Sequence, residues 1–290
     1  GKEFEAKYIE FEKRDDISKE VINAKDLWKK ILTNYFESGL PFLCFKDNAN
    51  RVNPNPHSGI IRSSNLCTEI FQNTSPSHYR VKVEFENGDI ELFEEDDIIT
   101  LDSGLDKKAN KLTSLDSING KKVFVVEKIG YNGESAVCNL ASVNLSKINT
   151  KEDIERVVPI AIRMLDNVID LNFYPTRKVR TTNLKNRAIG LGVMGEAEML
   201  AKEQIMWGSN EHLNKIDKIM ELISFNAINA SSDIAKEKGV YPDYKGSNWS
   251  KGIFPIDLAN TEALKLVDRD LFDRCDWDSL RQKVITQGIR

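Results

Sequence analysis

The chain has 290 residues, 40% of them hydrophobic and 30% charged, which is enough for one large domain or two ordinary ones with a real core. A net charge of −4 without a basic stripe excludes nucleic-acid binding by charge. No apolar run approaches the roughly 20 residues that a membrane-crossing helix needs, so no membrane partner is expected.

The start, Gly1-Lys2-Glu3-Phe4, has no initiator Met and does not read as a signal peptide, which predicts a shortened or processed chain. The cysteines at 44, 67, 138 and 275 form no CxxC pair, and His57, His78 and His212 lie at no ligand spacing from them. A zinc site is excluded on that pattern, and reduced thiols in a cytoplasmic protein are the expectation.

In chain order, Ser18 is placed to cap a helix that buries Val21, Ala24, Trp28, Ile31 and Tyr35 and stops at Gly39. Residues 42–45 predict a short buried strand, with Cys44 packed as a small hydrophobe. Residues 51–58 contain Asn53-Pro54-Asn55-Pro56 and form a loop, because proline disfavours helix in the residue before it. If residues 65–69 are extended, their side chains alternate across the backbone. Asn65, Cys67 and Glu69 then share one edge, which carries an amide, a thiol and a carboxyl. Leu66, Thr68 and Ile70 face the other way, Leu66 and Ile70 as apolar anchors that shelter the thiol.

The character changes after residue 75. Val81, Val83 and Phe85 alternate, Glu86-Asn87-Gly88-Asp89 is a hairpin turn, and Ile90, Leu92 and Phe93 follow. An acidic stretch at 94–97, a polar stretch at 107–111 and a strand at 122–126 complete a small β-rich module over 75–125. Beyond it comes Cys138-Asn139-Leu140-Ala141-Ser142-Val143-Asn144-Leu145. Thr150 and Asp153 form a near capping box for a helix with Ile154, Val157, Ala161, Met164 or Leu165, and Val168 on one face. Pro159 kinks that helix or marks a late start. Another long helix runs from about Asn210 to Gly239, and Asp276 caps a last one through Trp277, Leu280 and Val284, ended by Gly288. Helices alternating with short apolar strands indicate an α/β fold.

Asn65–Glu69 taken together with Ser38-Gly39-Leu40-Pro41-Phe42, Lys46-Asp47-Asn48-Ala49-Asn50 and the Cys138–Leu145 motif resembles the catalytic large subunit of ribonucleotide reductase. Leu66 and Thr68 give the central motif its class I form. The resemblance covers the chain except 75–125, because the family's link between the two cysteine motifs is much shorter. It implies part of a ten-stranded α/β barrel with a central finger loop, built from 1–74 and 126–290, plus an inserted surface module at 75–125. It also implies only the middle of a full subunit, with exposed strand edges, apolar faces and a tendency to self-associate.

The implied activity is thiyl-radical reduction of a ribonucleoside diphosphate to the deoxyribonucleotide. Cys67 would be the thiyl residue, Glu69 the acid–base group at the 3′ hydroxyl, Asn65 the group that positions the ribose, and Cys138 one of two reducing thiols. The other thiol lies on an earlier strand in the family. The resemblance implies no cofactor or metal bound by this chain, a radical supplied by a metal-containing small subunit, and an external thiol reductant. The alternative is a non-catalytic piece that needs a complementary chain carrying the missing parts of the large subunit. A nucleophilic thiol enzyme ranks last, since no His has a suggestive spacing to Cys67.

Blander readings apply elsewhere. Cys275, like Cys44, reads as a buried structural thiol. Gly190-Leu191-Gly192-Val193-Met194-Gly195 matches GxGxxG, but the polar stretch before it is no strand and no acidic residue ends a second strand downstream. The glycines read as tight strand-to-helix packing. Asp166, Asp170, Asp257 and the 94–97 run read as solvated faces rather than metal ligands. His57, in the proline-rich loop, is assigned no role.

Overall fold

The computed structural model describes residues 2–131, 133–258, 261–271 and 273–290. The first part is helical: α1 is Lys2–Glu12, α2 Ala24–Ser38 and α3 Lys46–Arg51. Asn23, not Ser18, caps α2, and Gly39 ends it at φ 75° as the sequence predicted. The apolar face of α2 is not buried, however, with Trp28 50% and Phe36 94% exposed. Periodicity marks which face is apolar and says nothing of what covers it. Residues 42–45 form no strand, and Cys44 is exposed, contrary to the packed strand expected there.

The β-rich module folds on its own core. Strands β1 (His78–Phe85), β2 (Ile90–Glu94), β3 (Ile98–Thr100), β4 (Asp106–Lys108), β5 (Ser117–Ile118) and β6 (Lys121–Tyr131) follow in sequence. A four-stranded antiparallel sheet has the order β2-β1-β6-β5. Val81, Val83 and Phe85 alternate inward and meet Leu101, Ala109, Leu112, Ile118 and Val123. The long strand β6 crosses residues 125 and 126 without a break. The acidic run is ion-paired rather than merely solvated, with Glu94 on Arg80, Glu95 on Lys128 and Asp96 on Lys108.

The second half is a β-α-β arrangement. β7 (Leu140–Asn144) leads through α4 (Lys151–Leu171) and α5 (Arg177–Asn186) to β8 (Gly190–Met194). β7 and β8 pair in parallel, Leu140 opposite Gly190 through Asn144 opposite Met194. Parallel neighbours require such a crossover. Among the described residues this pair is all the parallel sheet there is, so no closed barrel is present. The remaining helices are α6 (Glu196–Lys202), α7 (Asn210–Lys238), α8 (Thr261–Leu264) and α9 (Trp277–Gln287).

The Thr150 capping box forms in full, and α4 runs through Pro159 from a start at Lys151. Its buried residues are Ile154, Val158, Ile162, Leu165, Asp166 and Ile169, so Ile154 and Leu165 face inward as predicted while the rest of the face is turned from the one predicted. Val168 and Met164 point outward, 43% and 64% exposed. The core here joins α4 to β7, β8, α6 and α7 through Val143, Leu145, Val158, Met199, Ile223 and Ile234. A third cluster gathers Tyr241, Phe254, Leu280, Val284 and Ile289 around α9.

Candidate active site

Residues 65–69 do not form a strand. They make a tight turn in which the Thr68 amide donates to the Asn65 carbonyl at 3.1 Å. The cause is the Asn65 side chain. Its Oδ1 accepts from the amides of Glu69 at 3.1 Å and Ile70 at 3.0 Å, replacing the ladder partners of a strand. Ser64 Oγ braces the loop by donating to the Ile70 carbonyl at 2.7 Å. The expected shelter fails with the strand: Leu66 is 86% exposed, and Cys67 is itself exposed at the turn.

The turn nevertheless gathers the singled-out groups. Cys138 Sγ donates to Glu69 Oε1 at 3.1 Å, and Asn65 Nδ2 donates to Cys138 Sγ at 3.5 Å. Asn65, Glu69 and Cys138 therefore touch although Cys138 lies far along the chain. Cys67 is near enough to add a like-charge contribution at Cys138. The Glu69 hydrogen bond, helped by partial burial, pushes the Cys138 thiol above its ordinary range. The same bond, with the residue's own backbone amide, holds the Glu69 carboxyl below the usual carboxylate range. The pair is thus a protonated thiol aimed at an ionised carboxylate. A carboxylate has about four lone-pair sites, so room remains on Glu69 for a hydroxyl.

Several positioning residues lie outside the sequence-predicted set. Asn50 of α3 makes a reciprocal amide pair with Ile61, Nδ2 to the Ile61 carbonyl and the Ile61 amide to Oδ1, both at 2.9 Å. That pair anchors the stretch leading to the Cys67 turn. The segment before Cys138 takes its partners from α5: the Ser135 amide donates to Thr182 Oγ1 at 2.9 Å and the Val137 amide to Asn183 Oδ1 at 3.4 Å. Buried Thr182 and Asn183 stand in for a neighbouring strand. Polar residues recurring at helical spacing in Thr182-Asn183 and Asn186 were the available signal.

Other residues singled out in the sequence lie outside this cluster. Gly190–Met194 is a strand and Gly195 opens α6 at φ 74°, so the glycines do join strand to helix. Asp166 is not on a solvated face. It is 4% exposed and bonded to Arg187, Lys238 and Arg290. Asp170 also receives Arg187, at 2.7 Å, and Asp257 receives Arg281. Cys275 is half-buried, with burial raising its thiol. His57 packs beside the 243–246 turn, its Nε2 at 2.9 Å from the Asp243 carbonyl. Among the described residues no group of His, Cys, Asp or Glu is arranged to hold a metal ion, and no helix is long and apolar enough to cross a membrane.

The family model for the barrel domain of ribonucleotide reductase matches residues 1–290. The chain is 66% identical over 291 residues to the ribonucleoside-diphosphate reductase subunit alpha of Helicobacter pylori, covering all of this chain and 37% of that relative. Its identity to the subunits alpha of Treponema pallidum and Chlamydia trachomatis is 38% over 292 and 36% over 303 residues, covering 29% and 24% of those proteins. The chain thus spans between about 24% and 37% of the length of these relatives. An Asn65–Glu69 turn closed onto Cys138, within a chain matched from end to end, places this protein in the ribonucleotide reductase family, in the region of its barrel domain.

Proposed function

We propose that this chain is the catalytic centre of the large subunit of a class I ribonucleoside-diphosphate reductase. The contact of Asn65 and Glu69 with Cys138 carries the reading, because it joins the two cysteine motifs in one reactive cluster. β7 and β8 are read as neighbouring strands of a ten-stranded barrel, the Cys67 turn as its finger loop, and 75–125 as an inserted module.

In this reading Cys67, as a thiyl, takes the hydrogen atom from C3′ of the ribose and becomes S–H. Glu69 takes the 3′ hydroxyl proton. Cys138 gives its S–H proton to the departing 2′ hydroxyl, which leaves as water. Cys138 and a second thiol of the subunit supply two electrons and become a disulfide, the hydrogen of the second thiol goes to C2′, and Glu69 returns its proton to the 3′ oxygen. Cys67 then returns its hydrogen to C3′ and is a thiyl again. The held-up thiol and held-down carboxyl suit these roles, since the first must arrive protonated and the second ionised. Asn65 orients the ribose. The starting radical comes from a separate metal-containing small subunit, and an external thiol reductant reopens the disulfide.

The test combines the full-length subunit with its small subunit, a dithiol and a ribonucleoside diphosphate, and follows deoxynucleotide formation. Cys67→Ser is expected to abolish product, and Glu69→Gln to slow it by about 10²–10⁴-fold. Full turnover by Cys67→Ser would overturn the reading.

A further inference from the structure

The Cys138–Glu69 contact is exposed on both sides, so water competes for each partner. A solvent-facing hydrogen bond contributes little by itself. It persists only if the two backbones are held together by something else. The hub of that hold is Glu134, in the segment that leads to Cys138.

Glu134 reaches three parts of the molecule at once. Its backbone forms an isolated antiparallel bridge with Ser75, the Ser75 amide donating to its carbonyl at 3.1 Å and its amide donating to the Ser75 carbonyl at 3.0 Å. Its carboxylate accepts from Asn73 Nδ2 and, at 2.6 Å, from Lys185 Nζ of α5. Asn73 is 4% exposed and also donates to the Ser58 carbonyl at 3.2 Å. The Glu134 side chain is only 16% exposed, which makes this pairing far less open to water than the contact it supports.

The geometry has two ends. The segment from Asn65 through Glu69 to Asn73 and Ser75 runs beside the segment from Glu134 to Cys138. At one end Glu69 and Asn65 meet Cys138. At the other end Asn73 and Ser75 meet Glu134, and Lys185 ties that end to α5. The backbone between Glu134 and Cys138 is tied to α5 at Ser135 and Val137, so only a short, anchored stretch separates Glu134 from the sulfur.

We propose that Glu134 is a positioning residue for Cys138, fixing the Cys138 segment against the Asn65–Ser75 segment so that the sulfur reaches Glu69. This rests on the reading of Cys138 and Glu69 as working partners. Glu134 touches neither the sulfur nor the Glu69 carboxyl in any hydrogen bond of the structure, so its effect passes through the backbone.

The test is made on the full protein and needs no turnover. Cys138 alkylation by iodoacetamide is followed against pH by peptide mass spectrometry, with exposed Cys44 as the internal reference. Glu134→Ala is expected to move the Cys138 profile to lower pH, toward the ordinary thiol value of about 8.5, with several-fold faster alkylation on the acid side of it. Glu134→Gln keeps an acceptor for one of the two donors and is expected to move it less. The Cys44 profile stays put in both. A merely structural role would lower the melting temperature and leave the Cys138 profile superimposed on that of the unaltered protein, which overturns the proposal. If Glu134→Ala does not fold, an unmoved profile in Glu134→Gln overturns it equally. Glu69→Gln separates the two ideas. If it leaves the Cys138 profile unchanged, the pairing of Cys138 with Glu69 fails. If it moves the profile and the Glu134 variants do not, only the role of Glu134 fails.

Discussion

Thr68 occupies the left-handed region at φ 63°, next to the exposed Cys67. For a β-branched residue that conformation costs on the order of 1–3 kcal/mol and persists only where its neighbours impose it. Here the Asn65 carbonyl and side chain impose it by capturing three successive amides. Thr68→Gly is therefore expected to raise the unfolding free energy by up to about 1 kcal/mol, since the relief outweighs glycine's extra chain entropy. Urea denaturation checks it, and a loss of stability would mean that the Thr68 side chain makes compensating contacts. The identities of Asn65, Cys67, Glu69 and Cys138 were legible in the sequence as motif residues. Their arrangement was not, because side-chain alternation presumes a strand, whereas Asn65 offers the backbone a local alternative that short-range pattern reading ignores.

Elements whose ends are set by local chemistry match the sequence closely. Thr150 and Asp153 cap α4, Gly239 ends α7, and Asp276 and Gly288 bound α9. The β8–α6 junction belongs with these. A Cβ on Gly195 would fall 2.3 Å from Asn144 Oδ1, and its φ of 74° is left-handed. Gly192 has no such constraint, its nearest neighbour being Ser142 Oγ at 3.6 Å. Gly195→Ala should thus destabilise by about 1–3 kcal/mol, and Gly192→Ala by less than about 1 kcal/mol. Equal losses in thermal unfolding would refute the packing role given to Gly195. Facing was harder to read than ending. The α4 stripe is turned because Asp166, a charged residue, takes an inward position that an apolar pattern assigns to its neighbours.

That inward carboxylate binds the second half of the molecule together. Asp166 of α4 receives Arg187 from the end of α5, Lys238 from the end of α7, and Arg290. Burial alone would raise the Asp166 carboxyl, but the bonds from Lys238 and Arg187 outweigh it and hold the group below the usual carboxylate range. A carboxyl held low binds fewer protons folded than unfolded. Its contribution is complete above the unfolded value of about 3.9 and is lost as pH falls through the folded value. Unfolding free energy measured against pH should drop across that acid window, and Asp166→Asn should flatten the drop. Arg187→Met, which leaves Asp166 buried with one fewer cation, should cost about 3–5 kcal/mol. An unaltered acid limb in Asp166→Asn would show that other carboxyls govern it.

By itself the sequence determined the α/β character, the β-rich stretch after residue 75 and several helix ends, and it singled out Asn65, Cys67, Glu69 and Cys138 as candidates. Those features depend on groups a few residues apart, where caps, turns and alternation act. Only the tertiary structure decided that Asn65–Glu69 is a turn, that Glu69 meets Cys138 rather than standing alone, and that Asp166 lies inside an ionic cluster. The turn rests on bonds from Asn65 to the next few amides, which alternation does not weigh, and the other two depend on contacts between residues distant in the chain. Their energies come from burial and partner geometry that no local pattern records.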